Sequence, residues 1–210
     1  MTDEIVFYHN PQSRAQMAHW MLEEVGAPYR IAPIDFEKGE HKSPAFLALN
    51  PMGKLPTIVH RGTVVTETAA IIAYLADTFP QAKLAPAIGD PARGTYYRWL
   101  FFGAGCFEPA LLDEMMKRPA PPRKAAVGWG DYNDVVATLK TALAKGPYLL
   151  GEAFSAADVY LGSEIRWAMM FGAPGLKGER VFDDYAARLA TRPALQRTMG
   201  ANQGGAKQAG

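Results

Sequence analysis

The residues best suited to chemistry lie near the N-terminus, in segment 8–14, which reads YHNPQSR. This segment places two hydroxyl side chains, Tyr8 and Ser13, between a predicted strand and a predicted helix. A hydroxyl at a helix N-terminus can donate to an anion, and the helix dipole favours negative charge there. Ser13 and Gln16 also match a helix capping box, so pure capping is the alternative for Ser13. The alternative for Tyr8 is a buried strand aromatic.

Two short motifs farther along the chain could bind a polar ligand. Leu55-Pro56 opens a predicted strand, and because proline cannot donate to a sheet ladder, the strand edge there stays free for a ligand. Glu67-Thr68 opens a predicted helix whose unpaired N–H groups and dipole attract a carboxylate. The alternative for Leu55-Pro56 is a turn proline before a hairpin. The alternative for Glu67-Thr68 is an ordinary helix start with Thr66 as its N-cap.

A third motif, Ser155-Ala-Ala-Asp158, is structural in our interpretation. The two polar side chains can each accept from the other's backbone N–H, as in a capping box with Asp in place of Glu. We therefore expect a helix to begin here, and we assign Ser155 and Asp158 no catalytic role.

Composition narrows the class of protein. The chain has 210 residues, a formal net charge of +1 and 49% hydrophobic residues, which is an ordinary globular balance and does not favour nucleic acid as a partner. We expect no signal peptide and no membrane span. Cys106 is the only cysteine, which excludes an internal disulfide and fits the reducing cytoplasm. Because the histidines lack metal-ligand spacing, we expect no metal site.

Hydrophobic patterning predicts an α/β first half in the order β-α-β, then β-β-α, followed by an all-helical second half. The expected domains are 1–80, a linker over 81–91 rich in Ala and Pro, a helical domain over 92–200 and a flexible tail over 201–210. The predicted strands are 5–8, 29–34, 57–59 and 63–65. The predicted helices are 13–25, 44–49, 67–79, 92–117, 123–145, 156–171, 182–192 and 193–199.

Segments 50–57 (NPMGKLPT), 66–71 (TETAAI) and 154–158 (FSAAD) together resemble the cytosolic glutathione transferases. The Leu-Pro and Glu-Thr pairs lie about 11 residues apart across a hairpin, which is more specific than either pair alone. The resemblance runs over nearly the whole chain. It implies a thioredoxin-like glutathione-binding domain joined to an all-α domain.

The resemblance also assigns roles around the thiol of glutathione. Ser13 matches the hydroxyl donor of the serine-type classes, theta and zeta among them, whereas the position of Tyr8 is similar to that of the donor in the tyrosine-type classes. Asn10 could add an amide donor. The zeta class has a Ser-Ser-Cys cluster in this loop, and this chain departs from it.

The remaining glutathione contacts are implied in the same way. Leu55 would offer its backbone N–H and C=O to the cysteinyl unit beside a cis Pro56, Thr68 would bind the γ-glutamyl carboxylate, and Glu67 would face the ammonium group. His41 and Lys54 are candidates for the glycine carboxylate.

The resemblance implies conjugation of glutathione to small hydrophobic electrophiles, with peroxide reduction as a possible second activity. The alternatives are a glutathione-dependent isomerase of the maleylacetoacetate type and a non-catalytic glutathione-binding or ligand-binding scaffold.

The resemblance also implies a homodimer, and the apolar residues of the third predicted helix (Ile71, Ile72, Tyr74 and Leu75) favour it, because one small sheet could not cover them all. We expect the second substrate between the domains, near aromatic residues of the first helix of the helical domain. These aromatic residues are Tyr96, Tyr97, Trp99, Phe101, Phe102 and Phe107.

Overall fold

The computed structural model describes residues 3–205. Contacts divide the chain into two compact units, one formed by residues up to Lys83 together with those from Arg192 onward, and one formed by Leu84–Thr191. The domain boundaries expected from the sequence stay a prediction. Among the described residues, no helix combines the length and apolar character that a membrane span requires.

The first unit is built on a four-stranded sheet with strand order β2-β1-β3-β4. β1 and β2 are parallel, whereas β1–β3 and β3–β4 are antiparallel. This confirms the predicted β-α-β, β-β-α order. The strands are β1 (Ile5–His9), β2 (Tyr29–Pro33), β3 (Thr57–His60) and β4 (Thr63–Thr66).

Four helices complete this unit: α1 (Ala15–Val25), α2 (Pro44–Leu49), α3 (Thr68–Thr78) and α9 (Pro193–Gly205). Helix α1 packs against both α3 and α9. Helix α9 extends through residue 205, so the first part of the flexible tail expected over 201–210 is helical, while 206–210 lie outside the described residues; the flexibility of the tail stays a prediction.

Strand β1 explains why the sheet has two different faces. Ile5, Phe7 and His9 are buried, while Val6 and Tyr8 are half-buried on the opposite face. Because side chains alternate along a strand, this pattern separates Phe7 and His9 from Tyr8. The ring of Tyr8 contacts Phe46 of α2 at a centroid distance of 5.5 Å.

The second unit is helical throughout its regular elements. They are α4 (Ala92–Phe102), a π-helical turn (Gly103–Phe107), α5 (Glu108–Met115), α6 (Tyr132–Leu143), α7 (Ala156–Met170) and α8 (Arg180–Ala190). The π-helical turn divides the single helix expected over 92–117. Helix α6 begins later than expected, because Asp131 accepts from the backbone N–H of Asp134 and Gly130 adopts a left-handed φ of 69°.

Two glycines allow the helices of this unit to approach closely. A Cβ at Gly162 of α7 would lie 2.3 Å from Leu189 Cδ1 of α8, and one at Gly103 would lie 2.6 Å from the ring of Tyr160. Helix α7 is consequently well enclosed, and its buried residues include both Tyr160 and Ile165.

Burial separates the aromatic residues that the sequence grouped together. Tyr96, Trp99 and Phe107 belong to the core of the second unit, whereas Tyr97 and Phe101 are exposed.

The apolar residues of α3 are covered within this chain. Ile71, Ile72 and Leu75 are each 0% exposed, and Tyr74 bonds to His60 Nδ1 at 2.8 Å. The argument for a dimer from an uncovered α3 face is therefore wrong for Ile71, Ile72 and Leu75, which α1 and the sheet already bury, whereas Tyr74 is half-buried.

Candidate functional site

The loop between β1 and α1 holds Ser13 directly before the helix. Its hydroxyl donates to the carbonyl oxygen of Asn10 at 2.7 Å and accepts the backbone N–H of Ala15 at 3.1 Å. The predicted capping box with Gln16 does not form, because the Gln16 side chain donates instead to the carbonyl of Pro11 at 2.7 Å. Helix α1 begins at Ala15, two residues later than expected. Ser13 thus combines a hydroxyl with the positive end of a helix dipole.

Asn10 braces this loop through both ends of its amide. Nδ2 donates to the carbonyl of Ile34 at 2.8 Å, and Oδ1 accepts the backbone N–H of Gln12 at 2.8 Å. Since its own carbonyl also accepts from Ser13, Asn10 fixes where the Ser13 hydroxyl lies. The sequence suggested Asn10 only as a donor to ligand and did not reveal this bracing.

The turn before β3 is organised by Asn50, a residue whose role the sequence analysis missed. It is 2% exposed, donates to the carbonyl of Lys54 at 2.9 Å and accepts the N–H of Met52 at 3.1 Å. The Leu55–Pro56 peptide bond is cis, as the family resemblance implies. The Asn-Pro-x-Gly composition was the available signal, since such residues favour tight turns.

The segment around His41 lies against the same turn. Lys42 Nζ donates to the carbonyl of Met52 at 3.0 Å, and a Cβ at Gly53 would lie 2.7 Å from both His41 O and Lys42 Nζ. Gly53 also has a φ of +62°, so both its conformation and the close approach require glycine. The structure thereby brings His41 and Lys54 into neighbouring segments, with Lys54 exposed.

Helix α3 begins with an unusual backbone at Glu67. This exposed residue has φ 65° and ψ 121°, a conformation that non-glycine residues rarely adopt, and its side chain does not cap the helix. Thr68 follows and is 9% exposed. The alternative with Thr66 as N-cap is wrong, because Thr66 is the last residue of β4 and Glu67 occupies the N-cap position.

The strand register places the end of β1, the start of β3 and the end of β4 at the same end of the sheet. Thr57 pairs with Thr66 across the hairpin and with Tyr8 across β1. Continuing both antiparallel ladders by one residue places Pro56 beside Glu67 on one side and beside His9 on the other. Pro56 therefore lies between the end of β1, which leads into the loop of Ser13, and the residue that precedes α3.

His9 and His19 lie on the opposite, buried side of β1. Burial lowers the pKa of His9 to about 4, with the charge of His19 as a second cause. Burial also lowers the pKa of His19. Within residues 3–205, no three His, Cys, Asp or Glu side chains are grouped as metal ligands.

Ser155 and Asp158 form both capping-box hydrogen bonds at the start of α7. Asp158 also accepts from Leu149 N–H and from the Tyr185 hydroxyl, each at 2.9 Å. Burial raises the pKa of Asp158 despite these hydrogen bonds. Their arrangement fastens α7 to α8 and the preceding turn, which is a structural role.

The chain is similar in sequence to known proteins. Residues 4–77 match the glutathione S-transferase N-terminal domain. A probable glutathione S-transferase of rice, GSTF2, is 34% identical over 149 residues, covering 66% of this chain and 68% of that protein. Glutathione S-transferase GstA of Escherichia coli O157:H7 is 26% identical over 200 residues, covering 92% of this chain and 96% of GstA.

The fold is shared with solved structures. A sphingomonad glutathione S-transferase complexed with glutathione superposes with a TM-score of 0.76 at 30% identity, covering 93% of this chain and 98% of that one. The predicted fold class and the resemblance in the sequence are both confirmed. The chain belongs to the glutathione S-transferase family.

Proposed function

We propose that this protein is a glutathione transferase that binds glutathione on its first unit and transfers the activated thiol to small hydrophobic electrophiles. The observation that supports the proposal is the strand register, which pairs Thr57 with Thr66 and with Tyr8 and so sets Pro56 next to Glu67 and next to the end of β1, from which the chain continues to Ser13. Glutathione is extended and carries two carboxylates, an ammonium group and a thiol, so it needs several separate polar contacts.

In this proposal the peptide runs alongside the segment that leads into β3, where the backbone N–H and C=O of Leu55 bind the cysteinyl unit. Thr68 hydroxyl and N–H bind the γ-glutamyl carboxylate at the start of α3, where the dipole is favourable. Glu67 faces the ammonium group. Its rare backbone conformation supports this role, because strain of about 1–3 kcal/mol is typically retained where a side chain must meet a ligand.

The glycine carboxylate of glutathione would then reach the segment of His41 and the exposed Lys54. Lys42 already donates to Met52, which holds that segment against the turn and positions its neighbours. Asn10 would support glutathione binding in two ways. It holds the loop of Ser13 in place, and its amide would donate to glutathione directly.

We propose Ser13, as in the serine-type classes, as the thiol donor. A free thiol has a pKa of about 8.5, so a donor and a helix dipole are needed to form thiolate at neutral pH. Ser13 has both, since its hydroxyl already contacts the first-turn N–H of Ala15. Donation to sulfur requires its hydrogen to rotate away from Asn10. Tyr8 is the alternative, and its ring lies on the α2 face against Phe46.

The deciding experiment measures glutathione binding by calorimetry beside a panel of conjugation, peroxidase and maleyl-isomerase assays. Saturable binding with conjugation of 1-chloro-2,4-dinitrobenzene supports the proposal. Isomerase turnover without conjugation would favour the isomerase alternative. Binding without turnover on any substrate would favour the scaffold.

We also propose that the protein acts in the cytoplasm as a homodimer, on the family resemblance. Sedimentation equilibrium at micromolar concentration should then give twice the chain mass of 22.9 kDa. A stable species at the chain mass would contradict this.

A further inference from the structure

The last turn of α1 carries two carboxylates, Glu23 and Glu24, and no basic residue. Negative charge at a helix C-terminus opposes the helix dipole, because that end is already the negative pole. The two carboxylates of α1 therefore weaken the positive electrostatic potential that the helix dipole produces at its N-terminus. This matters because the N-terminus of α1 lies beside Ser13.

Residues from the far end of the chain neutralise both carboxylates. Arg192 donates to Glu24 through two nitrogens, Nε at 2.6 Å to Oε1 and Nη2 at 2.7 Å to Oε2. The Glu24 side chain is only 7% exposed, and Trp20 Nε1 donates to it at 2.8 Å. A partly buried bidentate pair of this kind holds its geometry and is screened by salt less than an exposed pair.

The second carboxylate is neutralised similarly. Arg197 of α9 donates to Glu23 Oε2 at 2.5 Å and to the Glu23 carbonyl at 3.0 Å. The Tyr29 hydroxyl donates to Glu23 Oε1 at 2.6 Å and contacts His19 at 2.8 Å. Burial alone would raise the pKa of Glu23, but the hydrogen bonds from Arg197 and Tyr29 lower it, so the group stays ionised and paired.

We propose that Arg192 and Arg197 promote thiolate formation at the N-terminus of α1 by neutralising the two carboxylates at its C-terminus. They act as tuning residues, through the electrostatic potential of the helix, and touch neither thiol nor electrophile. The inference rests on the proposed function, because it concerns the thiol activated beside Ser13.

Coulomb's law sets the size of the effect. Eleven residues separate Ser13 from Glu24, or about 16 Å along a helix. One uncompensated charge at that distance, at an effective dielectric constant near 20 and low salt, shifts a pKa by about 0.2–0.5 units. Physiological salt should shrink the shift, because the Debye length is then only about 8 Å.

The test places a reporter thiol at the end of α1, so that it does not depend on glutathione. In a Cys106→Ser background, Ser13→Cys introduces the only cysteine of the chain, and its pKa follows from the rate of iodoacetamide alkylation against pH. Arg192→Met should raise this pKa by about 0.2–0.5 units at low salt. Glu24→Gln should lower it by a similar amount.

The double variant Arg192→Met/Glu24→Gln should return the pKa to the parent value, and Arg192→Lys should stay close to it because the charge is kept. These opposite signs separate charge from structure, since loosening α1 would move the pKa in one direction for every variant. Arg197→Met with Glu23→Gln provides a second pair should Arg192→Met fail to fold by circular dichroism.

Equal pKa values in a folded Arg192→Met or Arg197→Met variant and its parent would overturn the inference, as would shifts of the same sign for both members of a pair. Failure of the proposed function would look different. In that case the native chain would not bind glutathione by calorimetry, while the reporter thiol would still respond to Arg192.

Discussion

Thr57 of β3 pairs with Thr66 of β4. Thr57 directly follows the Leu55-Pro56 pair, and Thr66 directly precedes the Glu67-Thr68 pair. The pairing sets Pro56 beside Glu67, so a peptide held at Leu55 has the start of α3 within reach. This one strand register thus brings together two proposed ligand contacts that are separated in the amino-acid sequence. A shift of one residue would turn these side chains to the opposite face.

Thr68→Ala should weaken glutathione binding by about 1–3 kcal/mol, because a buried charged acceptor loses one donor. Thr68 is 9% exposed, so water cannot readily replace the hydroxyl. Calorimetry of the variant beside Thr63→Ala, an exposed position on β4, measures the effect. Unchanged affinity in Thr68→Ala would contradict the proposed carboxylate site.

Ser13→Ala should raise the pKa of bound glutathione and reduce conjugation with little change in glutathione affinity. It also removes the hydrogen bond to Ala15 and should cost about 1 kcal/mol of stability. Thiolate absorbance against pH, compared with Tyr8→Phe, separates the two candidate donors. Should only Tyr8→Phe shift the titration, the tyrosine alternative replaces Ser13.

Gly53→Ala should destabilise the turn before Leu55 and weaken glutathione binding. A Cβ there meets His41 O and Lys42 Nζ at 2.7 Å in addition to the strain of φ +62°, and we expect a loss of about 1–3 kcal/mol. Gly62→Ala is the matched control, because Gly62 has φ +80° and nothing within 4 Å of its added Cβ. Equal losses in urea unfolding for both variants would show that the close approach is unimportant.

Acidification should destabilise the first unit through His9. Its pKa is about 4 when folded and about 6.5 when unfolded, so the unfolded chain binds more protons between these values. Stability therefore rises with pH across this window and falls on acidification. At pH 5 the loss should be about 2 kcal/mol relative to pH 7.5.

His9→Phe keeps an aromatic ring at this position and removes the titratable group. The urea midpoints of unfolding at pH 5 and pH 7.5 should therefore lie closer together in this variant than in the native chain. His19 contributes in the same direction, because burial lowers its pKa as well. If the stability of the variant depends on pH as strongly as that of the native chain, His9 is not the source of the pH dependence.

The sequence predicted the fold class and the order of the elements, because both follow from local patterns. Strands 5–8 and 57–59 and helix 156–171 were predicted within two residues of their observed bounds, since buried runs, prolines and the Ser155 cap mark them. Motif spacing likewise selected Leu55-Pro56 and Glu67-Thr68 as candidate ligand contacts.

Interruptions within helices were not predictable from the same signals. The π-helical turn at Gly103–Phe107 and the late start of α6 depend on close packing and on which polar side chain caps a particular turn. Gly103, Gly105 and Pro109 stand at the first place and Gly128, Gly130 and Asp131 at the second, but glycine is tolerated inside helices, so these residues do not fix where a helix is interrupted.

Tertiary structure alone decided the charge environment of α1. Glu24 and Arg192 lie 168 positions apart, and no local rule connects them. In isolation, Glu23 and Glu24 read as ordinary exposed charges at a helix end. Only the packing of α9 and the residue before it against α1 pairs them with arginines, because long-range contacts depend on the assembled core and not on the propensities of either segment.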